Sequence, residues 1–308
     1  MRTYWNTTHG LHELDAYTPG CWVQITCPEN DDIRFVVEEL GVPDYYVSDI
    51  ADTDERARYD FDEGWMLVIL RIPYYHESNT RTPFTTVPLG VVMKKDVMVT
   101  VCNFPTNMMA DFVAYQKKRG LGFTDSVDMV FRLFLSSSVW YLKRLKQISG
   151  MIDRAKLHLD RSIDNADLLS LSRLQDSLTF FLTSIRGNET LLSKLKFKLP
   201  IDELDADLIE DVNIEMAQAR EMTLIYSNIL EATMNTYANL ISNNMAVVMK
   251  TLTSASIILM FPTLVASLFG MNLINGMEQV WWGFPVAFII SIVISMLLLK
   301  YFKIKKWM

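Results

Sequence analysis

The chain has 308 residues, half of them apolar, with a formal net charge of −7. That length holds about two average domains, and an acidic surface disfavours nucleic acid and suits cations. Cys21, Cys27 and Cys102 are an odd number with no metal-ligand spacing, which excludes a disulfide framework and reads as buried free thiols in a reducing compartment.

Met1 to Gly20 carries Arg2, His9, His12, Glu13 and Asp15 and lacks the apolar core of a signal peptide. The N-terminal part is therefore expected to stay on the side of the membrane where it is made. Cys21 to Ile25 and Met66 to Leu70 read as strands, the second too continuously apolar to be half exposed. Thr86 to Met93 and Val97 to Cys102 flank Lys94-Lys95-Asp96, a hairpin-like signal. A helical stretch covers Asp32 to Leu40. Residues 1–123 are expected to form an α/β (α+β) domain.

From Thr124 the pattern changes. Between Asp125 and Lys198 there is no proline and there are two glycines, Gly150 and Gly187. Val127, Val130, Phe131 and Phe134, then Trp140, Leu142, Leu145 and Ile148, recur at helical spacing. Long helices follow, with a break near Asn165 and an end before Pro200. A second proline-free stretch runs from Asp202 to Pro262, and Asp202, Glu203, Asp205, Asp207, Glu210, Asp211 and Glu215 crowd its start. Acids there favour a helix N-terminus through the macrodipole. An unbroken helix to Phe269 would be about 100 Å long at ~1.5 Å per residue. Residues 124–245 are thus a long-helix region and stalk.

Residues 246–308 hold two runs without ionisable side chains, Thr251 to Phe269 and Trp281 to Leu299. Each is about long enough to cross a bilayer, and the short connection between them requires a membrane hairpin. Lys250 precedes the first run, and Lys300, Lys303, Lys305 and Lys306 follow the second, while the connection carries Glu278. The positive-inside rule then places both termini in the cytoplasm. Trp281 and Trp282 at the outer end, and Tyr301 and Trp307 at the inner end, suit interfacial belts. Catalytic signals are missing: no phosphate loop, nucleophile elbow or paired-cysteine metal site occurs, and the four histidines (His9, His12, His76, His158) are scattered. The sequence is not that of an enzyme.

Several short segments carry a resemblance. Ser242-Asn243-Asn244-Met245, Val248-Met249-Lys250-Thr251-Leu252-Thr253, Phe261-Pro262-Thr263, Gly270-Met271-Asn272 and the ending Lys300-Tyr301-Phe302-Lys303 with Lys305-Lys306-Trp307 resemble the CorA family of divalent-cation channels. Weaker likeness extends upstream, through Pro88 to Met93 and the long helices. The resemblance implies a homopentameric funnel in the cytoplasmic (inner) membrane, with Gly270, Met271 and Asn272 as ion selectivity filter. Magnesium sheds its water reluctantly, so a ring of neutral amide oxygens from Asn272 can hold the hydrated ion without trapping it. One asparagine per chain cannot encircle an ion, so several subunits are needed. Counting back at helical steps, Thr263, Met260, Ser256, Leu252 or Thr253, and Met249 share roughly one face. By family position Thr263 is a polar rest site, and Met249, Leu252 and Met260 form an apolar constriction that gates by expelling water. Pro262 frees one backbone carbonyl, which a pore-lining helix tolerates.

Two departures from the family stand out. The inner asparagine one turn nearer the cytosol is here Ala246, so that ring is absent or replaced by Asn243. The family senses cytosolic magnesium through carboxylates bridging subunits; Asp211 matches one, but its partner position falls near Tyr75-His76, which is not acidic. Glu77, or Asp207 and Glu210, are the substitutes, and the rival view of that acidic run is a solvated helix start. The expected function is passive uptake of Mg2+, both transported and regulatory, with Co2+, Ni2+ and Zn2+ as further candidate ions. Two rivals stand beside it. One is a proton-coupled zinc transporter of the same family, against which the intact Gly-Met-Asn argues. The other is a non-conducting membrane-anchored scaffold or sensor, against which polar Ser256 and Thr263 in the first span argue.

Overall fold

The computed structural model describes residues 1–8, 10–77, 82–120, 122–161, 164–199, 203–271 and 281–307, without the side chains of 203–205. They divide into two compact units, Met1–Ala232 and Thr233–Met308.

In the first unit one mixed sheet has the strand order β2-β1-β3-β7-β6-β5-β4. Its strands are β1 (Arg2–Asn6), β2 (His12–Leu14), β3 (Trp22–Thr26), β4 (Arg58–Asp62), β5 (Trp65–Tyr75), β6 (Phe84–Lys94) and β7 (Val97–Cys102). β3 and β7 run parallel, and the other neighbours are antiparallel. Lys94 pairs with Val97, so Lys95 and Asp96 form the hairpin tip, with Lys95 at φ 45°.

Trp65 to Leu70 is buried without interruption because both faces of the sheet are covered. On one face Leu67 and Ile69 join Val23, Ile25, Val99 and Val101 beneath Phe35, Tyr46 and Ile50. These last come from the segment holding α1 (Asn30–Arg34), a π-helical turn (Phe35–Glu39) and α2 (Asp44–Ala51). The stretch expected as a single helix over Asp32 to Leu40 is therefore two elements, and the wider turn shows in the bond from Leu40 N to the Phe35 carbonyl, 3.0 Å. Gly90 in β6 is where α2 comes closest: a Cβ there would overlap the Ile50 side chain.

The other face carries α3 (Asn107–Arg119), α4 (Ser126–Leu159) and α5 (Asn165–Lys198). Asp125 caps α4 through its Oδ1, which accepts from Val127 N and Asp128 N, and Asp164 caps α5 by accepting from Ala166 N. Phe181 of α5 packs edge-on against Phe84 and Tyr141. Trp22 meets Phe112 and Phe123, and its indole N–H reaches Thr100 Oγ1 at 3.0 Å. One polar clasp ties helix to sheet. β4 ends opposite Ile69, which leaves Arg71 without a strand partner on that side. Asn188 of α5 takes both backbone groups: its Oδ1 accepts from Arg71 N at 2.9 Å and its Nδ2 donates to Arg71 O at 2.8 Å. The Tyr141 hydroxyl donates to the same carbonyl at 3.0 Å. Cys21 and Cys102 are buried as expected, and burial pushes the Cys102 thiol up to about 11. Cys27 is exposed instead, because it leaves the end of β3 at φ 50°.

Among the described residues, α6 (Glu203–Phe269) and α7 (Gly283–Ile304) are the two helices long and apolar enough to cross a membrane. In the second unit the hairpin helices face each other with few buried side chains, Ser254 and Phe302 among them. Phe302 stacks on Trp307 at 5.7 Å between ring centroids.

Candidate functional site

The candidate pore residues sit on α6. Its residues step by about 100° around the axis, so Met249, Leu252, Ser256, Met260 and Thr263 fall within roughly one third of the circumference. Ser254, Pro262, Val265 and Phe269 lie on the opposite side. That side is the one turned to α7: Pro262, Val265 and Phe269 line a 570 Å3 apolar cavity with Phe288, Ser291 and Ser295. The expected stripe is left uncovered, with Met249 52 %, Leu252 61 % and Met260 64 % exposed. Ser256, Thr263 and Thr253 are exposed too. Packing between the two helices thus selects which face of α6 remains without a partner among the described residues.

The polar members of that face are acceptors. Ser256 Oγ donates to the Leu252 carbonyl at 2.9 Å, and Thr263 Oγ1 donates to the Leu259 carbonyl at 3.0 Å. With its proton spent on the backbone, each hydroxyl presents lone pairs. A hydrated cation presents the hydrogens of its water shell, so these oxygens match it without a formal charge. Pro262 has no N–H, so the carbonyl four residues earlier, that of Ile258, loses its helical donor. Gly270 N still donates to the Ala266 carbonyl at 2.9 Å, and a Cβ on Gly270 would stand 3.2 Å from that oxygen. Glycine is thus favoured there by crowding at the helix end. Met271 is 48 % exposed. Asn272 lies outside the described residues, as do Asp202, Glu278 and His9, and so do the side chains of Glu203 and Asp205. Asn243 and Ala246 are exposed on α6.

Asp207, Glu210 and Asp211 are exposed, on the side of α6 away from buried Ile209, Val212, Met216 and Ala219. Among the described residues no three His, Cys, Asp or Glu side chains gather closely enough to hold a metal ion. At the expected partner position, Tyr75 lies against Arg144, its ring 5.5 Å from the guanidinium. His76 Nε2 is 2.9 Å from Thr85 Oγ1, and burial lowers the His76 pKa. Glu77 is exposed. Arg220 pairs with Glu189 at 3.1 Å, and Gln175 Nε2 donates to Ser227 Oγ at 2.8 Å, so α6 is fastened to α5 within the first unit. Sequence periodicity did not mark Ser254, whose burial follows only from its position toward α7.

A mixed-sheet domain and long helices thus precede two C-terminal candidate membrane spans. Residues 19–306 match the family described as CorA-like Mg2+ transporter protein, and the chain belongs to the CorA family. It is 23% identical over 304 residues to the "Cobalt/magnesium transport protein CorA" of Methanocaldococcus jannaschii, covering 93% of this chain and 90% of that one. With the protein of the same description from Thermotoga maritima it shares 24% identity over 303 residues, 96% of this chain and 85% of the other. The complete structure of the CorA magnesium transporter from Methanocaldococcus jannaschii superposes with a TM-score of 0.87 at 19% identity, covering 100% of this chain and 99% of that one.

Proposed function

We propose that the chain is a divalent-cation channel that admits Mg2+ passively, as a homopentamer in the cytoplasmic membrane with both termini inside. Asn272 side chains form the ring that recognises the hydrated ion, with Gly270 and Met271 shaping it. Thr263 and Ser256 offer acceptor oxygens along the path, and Met249, Leu252 and Met260 close it when dry. The observation that carries this reading is the uncovered stripe opposite α7, apolar at one set of turns and acceptor-only at Ser256 and Thr263. Such a face is expensive against lipid at its hydroxyls and wasted against water at its methionines; it suits the interior of a ring of copies. The family and the names of its relatives support the ion class, Mg2+ together with Co2+. Ni2+ and Zn2+ are admitted on the same physical grounds. Inward movement needs no coupling, since a divalent ion gains about 4.6 kcal/mol per 100 mV of inside-negative potential. Magnesium held between subunits at Asp207, Glu210 and Asp211 is the regulatory ligand.

The test is uptake of Mg2+, Co2+, Ni2+ and Zn2+ into liposomes holding the purified protein, with and without a proton gradient. Mg2+ entry set by voltage alone is expected. Entry of Zn2+ that requires the proton gradient would replace this reading by a coupled zinc transporter, and no flux of any ion by an anchored sensor. Asn272→Ala is expected to abolish Mg2+ entry while the oligomer stays assembled; parental uptake by the mutant would remove Asn272 from the filter.

A further inference from the structure

Cys27 leaves the end of β3 at φ 50°, with Pro28 next in the chain. A positive φ suits glycine or asparagine, and a proline pushes the residue before it toward extended backbone. Cysteine is an uncommon occupant of such a position.

The turn has a consequence for where its side chain goes. Thr26 and Cys102 are register partners in the parallel pair of β3 and β7, so they share one face of the sheet. Side chains alternate along a strand, and an extended Cys27 would point to the other face. Its φ of 50° differs by about 170° from the −120° or so of a parallel strand. That half turn about the N–Cα bond carries the Cys27 Cβ round to the face of Cys102. The Cys27 N–H also donates to the Cys102 carbonyl at 2.8 Å. With ordinary bond lengths on either side, the two Cα atoms then stand within about 7 Å, the limit for closing a disulfide.

The two thiols differ in access. Cys102 is buried, and its Sγ donates to the Phe104 carbonyl at 3.5 Å. Burial is the main reason its thiol is pushed up to about 11, and the Cys27 sulfur, near enough to be felt, adds to the rise. Cys27 is exposed. The pair also stands apart from the Tyr75-His76 position expected to bridge subunits. Val101, beside Cys102, lies opposite Gly90, six residues along β6 from the Phe84 that pairs with Tyr75, or about 20 Å at ~3.4 Å per residue.

We propose that Cys27 and Cys102 are a peroxide-responsive dithiol, which closes to a disulfide tying the end of β3 to the end of β7. The Cys27 thiolate attacks one oxygen of hydrogen peroxide, the O–O bond breaks, and Cys27 becomes a sulfenic acid as hydroxide leaves. The Cys102 sulfur then displaces the sulfenic oxygen as a second hydroxide, and the S–S bond forms. The two thiol protons turn both hydroxides into water, so two thiols lose two electrons and one peroxide becomes two waters. Cys21, buried at the other end of β3, remains a thiol.

The full-length, detergent-solubilised protein is treated with hydrogen peroxide, its free thiols are counted after denaturation, and the cysteines are mapped by peptide mass spectrometry. The count is expected to fall from three to one, with a peptide linking Cys27 to Cys102, and to return to three with dithiothreitol. Cys27→Gly suits the backbone at that position and keeps the fold. In it the loss of the Cys102 thiol is expected to slow by about tenfold or more, since a buried, protonated thiol is inert. Cys102→Ala is expected to stop at the Cys27 sulfenic acid, which dimedone traps. Three free thiols after peroxide, Cys27 joined to a second chain, or Cys102 lost as fast in Cys27→Gly as in the parent would each overturn the proposal.

Discussion

In the N-terminal unit Trp22, Tyr46 and Phe181 are wholly withdrawn from solvent, whereas in the C-terminal unit Met260, Phe284 and Trp281 stand 64 %, 81 % and 88 % exposed. The same apolar chemistry has found a partner in one and lacks it in the other. In the first, sheet and helices of one chain cover each other, and even the stray backbone groups of Arg71 are satisfied by Asn188. In the second, α6 and α7 cover one side of each other and leave the rest bare. On the function proposed above, the burial missing from the second unit is supplied by lipid and by further copies of the chain. Stability should therefore respond to truncation in the first unit, and flux to truncation in the second.

Phe181→Ala offers the largest break. It removes a fully buried ring held by Phe84 and Tyr141, and a loss of about 3–5 kcal/mol is expected from denaturant unfolding of the N-terminal unit. Met260→Ala, an exposed truncation in the second unit, should leave that transition in place; an equal loss would erase the contrast. Asn188→Leu comes next. It orphans the N–H of Arg71 and leaves its carbonyl to the Tyr141 hydroxyl, a cost of about 1–3 kcal/mol, and a neutral result would mean that water replaces the amide.

In the C-terminal unit Met249→Gly and Leu252→Gly should wet the apolar constriction and raise basal Mg2+ leak into liposomes. A leak no greater than that of the parent in both variants would place these side chains outside the path. The smallest effect on stability, within about 0.5 kcal/mol, is expected for combined Asp207→Asn, Glu210→Gln and Asp211→Asn, since all three are exposed surface positions. Currents of that variant should no longer shut when cytosolic Mg2+ rises. Inhibition at the parental concentration would show these acids to be a helix start and nothing more.

How much of this could be read in advance differs between the units. Continuous burial at Met66 to Leu70 and the tip at Lys95 were visible as an apolar run and a turn. β4 was not: Arg-Tyr-Asp-Phe-Asp is a charged edge segment that becomes a strand only by pairing with β5. α2 was equally silent, because Tyr46, Val47 and Ile50 make a short apolar face whose target, the cleft above Gly90, comes from distant sequence. The grouping of Met249 with Thr263 on one face was legible, since 3.6-residue spacing alone places them together. Which face stays uncovered was not, because that depends on α7.

The serines and threonines of the hairpin have one further effect. Ser254, Ser256 and Thr263 on α6, and Ser291 and Ser295 on α7, each donate to a carbonyl four residues earlier on their own helix. The bond from Thr251 Oγ1 to the Trp307 carbonyl, which does cross, is 3.5 Å long and lies at the hairpin's end. On the sides the two helices turn to each other, Ser254, Ser291 and Ser295 therefore act as small spacers. Among the described residues, then, the fit that leaves the face from Met249 to Thr263 uncovered rests on the shape of Pro262, Val265, Phe269 and their neighbours on α7, with one crossing hydrogen bond at the hairpin's end.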